Sequence, residues 1–96
     1  MQDEFNSAFV QLLNDDRITV CHLSVYVALF FRWHQNAFNN PVSITRREIM
    51  KLAHIGSIAT YHKCINELQQ FGFIEYWPSY HPSLGSQIRL YARLND

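Results

Sequence analysis

The chain is poor in the residues that impose structure covalently or conformationally: among 96 residues there are two cysteines, three prolines and three glycines. Two cysteines allow one disulfide at most, which excludes a small scaffold held together by several bridges. Charge is scarce too, at 17% of residues, and eight bases balance eight acids for a net charge of zero. That weighs against a nucleic-acid partner, since most such domains are clearly basic. The longest apolar run, Val25 to Phe31, stops at Arg32 and is far short of the roughly 20 residues that span a bilayer. The opening MQDEFN has no basic stretch ahead of an apolar one. No secretory leader is therefore expected, and the cytoplasm is the expected compartment. There are no repeats, low-complexity tracts or internal linkers.

What is present is apolar material: 48% of the chain is hydrophobic and 15% aromatic. That is enough for one domain over residues 1–96 to build a core without metal or staples. Cys21 and Cys64 each fall on an expected helix among apolar neighbours, and are read as buried free thiols. The zero net charge hides an asymmetry. Residues 1–41 carry Arg17 and Arg32 against Asp3, Glu4, Asp15 and Asp16, whereas residues 42–66 carry Arg46, Arg47, Lys51 and Lys63 against Glu48 alone.

The pattern along the chain gives four helical segments and a terminal hairpin. Residues 1–17 form an N-terminal arm or helix, with Phe5, Phe9, Leu12 and Leu13 expected on one face. Residues 18–36 form the first core helix, beginning near Thr19 or His22, with Ser24 a poorer cap. Its apolar positions, Leu23, Val27, Phe30, Phe31 and Trp33, lie on more than one side, as in a helix that is buried or sits in a subunit contact. Val42-Ser43-Ile44 reads as a short strand that pairs with the later hairpin. Residues 45–53 form a short amphipathic helix, broken at His54-Ile55-Gly56. Ser57 then caps a longer helix over 57–71, because its hydroxyl accepts from a free backbone N–H of the first turn. Tyr61, Ile65 and Leu68 recur at i, i+4, i+7 and make its apolar stripe. Gly72 supplies the left-handed residue that ends it. Residues 73–94 hold two strand-like runs, the second alternating Ile88, Leu90 and Ala92 with Arg89, Tyr91 and Arg93. The connection through His81, Ser83, Gly85 and Ser86 is too long for a two-residue turn and suits a wing.

The stretch SITRREIMKLAHIGSIATYHKCINELQQFGFI resembles the winged helix-turn-helix family, in the branch of bacterial transcriptional regulators, replication initiators and accessory proteins of mobile elements. S-x-A-T-x-x-x-x-I-x-x-L-x-x-x-G-F-I is similar to that family's recognition-helix pattern. The resemblance covers about residues 18–94. It implies a mainly α fold with a small β-hairpin: three core helices, the N-terminal helix or arm, and a two- to three-stranded antiparallel wing sheet. It also implies sequence-specific binding of double-stranded DNA, with the 57–71 helix in the major groove. The positions that match are Thr45 as a cap, Arg46 and Arg47 on phosphate, Ser57, Thr60, His62 and Lys63 towards the groove, and Ser86 beside the wing. One departure is that residues 78–88 contain no Arg or Lys, whereas many wings of the family carry a base at the tip.

The chemistry of these side chains suits such roles. Arg46 and Arg47 offer planar forks to phosphate oxygens, and Lys63 a point charge. Thr60 and His62 can donate or accept at base edges. Tyr61 belongs to the core stripe. The N-terminal and first-helix aromatics Phe5, Phe9, Phe30, Phe31, Trp33 and Phe38 are candidates for pairing two copies, so a homodimer is expected, with a folded-over arm burying the same rings as the alternative. No histidine or cysteine pair has zinc spacing, and no phosphate-cradling loop, nucleophile elbow or carboxylate pair is present. No cofactor, metal or catalysis is expected. The rival function is a winged-helix module that binds protein, motivated by zero net charge, the base-free wing and the surplus of aromatics.

Overall fold

The computed structural model describes residues 2–79 and 85–91, the first five of these as helical backbone only. The expected positions His81 and Ser83, and the expected end of the last strand at Ala92, Arg93 and Leu94, lie outside the described residues. Four helices and a three-stranded antiparallel sheet make the architecture: α1 (Gln2–Leu13), α2 (Val20–Gln35), β1 (Val42–Ile44), α3 (Arg46–Ala53), α4 (Ile58–Gln70), β2 (Ile74–Trp77) and β3 (Ser86–Leu90). The fold is thus mainly α with a small sheet.

The start of α2 is set by both candidates at once. Thr19 caps the helix and His22 reaches back, its Nδ1 accepting from the Thr19 N–H at 2.9 Å. Ser24 caps nothing; its hydroxyl donates to the Ala53 carbonyl and ties α2 to the end of α3. Helix α2 buries Val25, Tyr26, Ala28, Leu29 and Trp33, and leaves Val27 and Phe31 exposed. The expectation that Leu13 joins the apolar face of α1 fails: Leu12 is fully buried and Leu13 is 66% exposed. One residue further along a helix turns the side chain by about 100°, which carries Leu13 off the face that Leu12 occupies.

Strand order is β1-β3-β2, with β3 in the middle. Val42 pairs with Ile88 and Ile44 with Ser86 on one side, Ile74 with Leu90 and Trp77 with Gln87 on the other. Val42, Ile44, Ile74, Ile88 and Leu90 are all buried, so one face of the sheet closes the core under α2 and α4. Period-2 alternation carries this: Arg89 points out between Ile88 and Leu90. Asn40, at the turn before β1, accepts the Leu90 N–H at 3.1 Å and donates to the Leu90 carbonyl at 2.9 Å. Gly85 enters β3 at φ 66°, where a Cβ would stand 2.8 Å from the Ile44 carbonyl oxygen. The chain can pass β1 that closely only without a side chain.

The expected aromatic surplus is largely consumed inside the molecule. Phe9 stacks edge-on against Tyr26, with centroids 5.3 Å apart, and lies 4.6 Å from Phe30. Trp33 and Phe38 meet at 5.1 Å and Phe30 and Trp33 at 5.7 Å. These separations are those of favourable aromatic pairs. Among the described side chains of the set only Phe31 is exposed. The thiols are free, Cys64 buried and Cys21 half-buried. No described helix is long and apolar enough to cross a membrane.

Candidate nucleic-acid interface

Helices α3 and α4 are joined by a short turn, and both starts follow from the sequence. The Thr45 hydroxyl accepts from the Glu48 N–H and the Ser57 hydroxyl from the Thr60 N–H, each at 3.2 Å. Each hydroxyl keeps its own proton free to donate outward, as a phosphate oxygen would require. Helix α3 stops at Ala53, as expected, and the residue that closes it is not a glycine. His54 takes the left-handed conformation (φ 59°, ψ 42°), and the Ile55 N–H reaches back to the Met50 carbonyl at 3.0 Å. That is a Schellman closure on a non-glycine residue. Gly72 ends α4 at φ 88°, with the Phe73 N–H bonded to the Leu68 carbonyl at 3.0 Å.

The two arginines at the start of α3 diverge. Arg46 is exposed on the side of α4, close enough for its charge to act on the Tyr61 hydroxyl. Burial, assisted by Tyr76, nonetheless pushes the Tyr61 hydroxyl well above the usual tyrosine range. Tyr61 is a core residue, 1% exposed. Arg47 lines a groove of about 490 Å³ between α2 and α3, together with Phe31, Arg32, Lys51 and Leu52.

The face of α4 is sorted by its buried stripe, Tyr61, Cys64, Ile65 and Leu68. At about 100° per residue, Ala59, Lys63, Asn66 and Gln70 fall opposite that stripe, with His62 to one side. All five are exposed. Thr60 sits on the flank, beside Arg17, His22 and Glu67 around a hollow of about 260 Å³ where α4 meets the start of α2. Ser86 is half-buried: its hydroxyl lies 3.3 Å from that of Tyr76 and accepts from the Ser79 N–H at 3.4 Å. It ties β2 to β3. Burial pushes the Cys64 thiol up to about 11, so it is held as an unreactive thiol on the inner side of α4.

Both carboxylates of the α3–α4 unit are taken up by α2. Glu48 Oε1 stands 3.0 Å from Arg32 Nε, and Glu67 Oε1 stands 2.9 Å from Nε2 of the buried His22. Arg46, Arg47, Lys51 and Lys63 have no ion pair among the described residues, so the outward charge of this unit is positive. Lys51, Ala59, Asn66 and Gln70 were not among the expected contacts. The signal of the three on α4 was present, in the positions that the 61/65/68 stripe leaves outside. No cluster of three or more metal-ligating side chains occurs among the described residues. No protein-family model, curated protein or solved structure matches the chain.

Proposed function

We propose that this chain is a winged helix-turn-helix protein that binds double-stranded DNA, with α4 in the major groove and the start of α3 on the phosphate backbone. It serves as a bacterial transcription regulator, or as an accessory factor in replication or element mobility. The observation that carries this reading is the disposition of charge. The carboxylates of α3 and α4 are drawn towards α2, while Arg46 and Lys63 stand at a polar, carboxylate-free face of α4 and Arg47 and Lys51 line the neighbouring α2–α3 groove. A net-neutral protein thereby presents a locally positive surface, which is what attraction to a polyanion requires. Thr45, Arg46, Ser57 and Lys63 supply the phosphate donors, with Arg47 and Lys51 at the margin. His62 and Thr60 border the base-reading face. Ser86 supports the wing from within. The free thiols fit a reducing cytoplasm. Pairing of two copies across two half-sites remains part of the proposal, now resting on Val27 and Phe31, the large apolar side chains that α2 leaves exposed beyond its first turn.

A second reading has one observation in its favour. The α2–α3 groove combines half-exposed Phe31 and Leu52 with Arg47 and Lys51, a surface that would also suit a protein partner. The two readings separate in a fluorescence-anisotropy titration of a mixed-sequence duplex over a range of salt. DNA binding requires affinity that falls linearly on a logarithmic salt scale, with Arg46→Ala and Lys63→Ala each reducing the slope by about one. No detectable binding at low salt rules the DNA reading out.

A further inference from the structure

The exposed face of α4 has an unusual chemistry for a groove-reading surface: amides and small apolar groups, one cation and no arginine. We propose that it reads adenine·thymine pairs, with Asn66 as the adenine-reading side chain and Ala59 as the thymine-methyl contact. This rests on the reading that α4 enters the major groove and goes beyond it by naming the base class.

The face contains three carboxamides, and they are not equivalent. Gln69 is already committed, because its Oε1 accepts the Tyr76 N–H at 2.6 Å. Recognition of adenine needs both ends of one amide, the oxygen accepting from N6 and the nitrogen donating to N7. Gln69 cannot supply both. Asn66 and Gln70 have no hydrogen-bond partner among the described residues, so each keeps its full donor and acceptor set. Asn66 stands on the exposed face beside Lys63, away from the Tyr61/Ile65/Leu68 stripe, and its short side chain loses little freedom on docking. Gln70 is the last residue of the helix, at the edge of any contact.

The rest of the face favours the same base class. Guanine is usually read by a bidentate arginine or lysine; the face has no arginine, and its one cation, Lys63, is a point charge assigned to phosphate in the proposed docking. Cytosine is read by a carboxylate accepting from N4. The only carboxylate on α4 is Glu67, which is bonded to His22 at 2.9 Å and turned to the flank. Thymine is read by apolar contact with its methyl group. Ala59, exposed in the first turn, offers that contact. Ala59 and Asn66 are about 10 Å apart along the helix, close to three base-pair steps of about 3.4 Å, so methyl and amide contacts fall within one short A·T tract.

The test is selection of binding sites from a random duplex pool by the full chain, followed by titration of the winning duplex and of its single-base variants. Enrichment of an A·T core is expected. Asn66→Ala should reduce the preference for adenine over guanine at one position by about tenfold, whereas Lys63→Ala should weaken the winning duplex and its variants alike. Asn66→Arg should move the preference at that same position to guanine. A selected core rich in G·C, or Asn66→Ala with its preference intact, overturns this inference and leaves DNA binding standing. Failure of the pool to bind at low salt overturns both.

Discussion

Tyr26 is fully buried in the centre of α2, and its hydroxyl has no hydrogen-bond partner among the described residues. The Trp33 indole N–H is in the same position. A buried polar atom left unpaired costs about 1–3 kcal/mol, so deleting the hydroxyl while keeping the ring removes a cost. Tyr26→Phe is expected to raise the urea midpoint by the equivalent of about 1 kcal/mol with the slope unchanged. A fall in the midpoint would show that the hydroxyl is satisfied after all. Burial also raises the Tyr26 hydroxyl to about 12. The sign follows: above pH 10 the unfolded chain gives up this proton and the folded one keeps it, so stability falls as pH rises towards 12. Tyr26→Phe should remove that part of the alkaline loss. Tyr26 was hard to pick out from the sequence. Positions 23–31 are apolar or nearly so throughout, and a run without polar gaps gives periodicity nothing to select. Tyr61 is the opposite case: polar His62, Lys63, Asn66 and Glu67 separate the members of its stripe, and that spacing favours the core over a hydroxyl reaching out to phosphate.

At the scale of the element, the starts and stops of α3 and α4 were legible, but not the geometry that closes α3. Thr45 and Ser57 cap α3 and α4 as local chemistry dictates, because a hydroxyl three residues ahead of a free N–H acts within a single turn. Helix α3 ends at Ala53 as expected, but not by way of the glycine in the break. Gly56 lies in the turn, yet the left-handed residue is His54. Tertiary contact decides it: the last residue of α3, Ala53, is buried, and its carbonyl is bonded by Ser24 from α2. The helix must therefore close one residue later, whatever stands there. A left-handed conformation costs a non-glycine residue about 1–2 kcal/mol, partly offset by the greater freedom glycine has in the unfolded chain. His54→Gly is thus expected to stabilise the protein by roughly 0.5–1 kcal/mol. His54 is exposed, so no packing is lost. Thermal unfolding checks this, and a lower midpoint would mean that the imidazole makes a contact worth more than the strain. The link from Asn40 to both backbone groups of Leu90 was equally out of reach, since the partners are 50 residues apart.

On the scale of the whole molecule, the orientation of α4 depends on what holds its far side. Core burial fixes the stripe, Gln69 hooks the helix to β2 through the Tyr76 N–H, and Glu67 hooks it to α2 through His22. The last contact has a determinate polarity. The Thr19 N–H can only donate, so Nδ1 of His22 accepts, and in the neutral ring the proton sits on Nε2 and is donated to the Glu67 carboxylate. A histidine that is 3% exposed is acceptable in the core because both its nitrogens are engaged. No composition argument reveals this, because the pair spans 45 residues and the zero net charge counts Glu67 as an ordinary surface acid. Yet the pairing turns that acid away from the face proposed to meet DNA. The expected outcome is a measurable coupling: in a double-mutant cycle of His22→Ala and Glu67→Ala, the two losses should fall short of additive by about 1–2 kcal/mol, as for a hydrogen bond to a charged group. Glu67→Gln is the informative third variant. Its amide oxygen still accepts from Nε2, so it should retain most of the coupling in urea unfolding. If Glu67→Gln is instead as costly as Glu67→Ala, the bridge depends on charge and not on the donated proton, and the assignment of that proton to Nε2 is wrong.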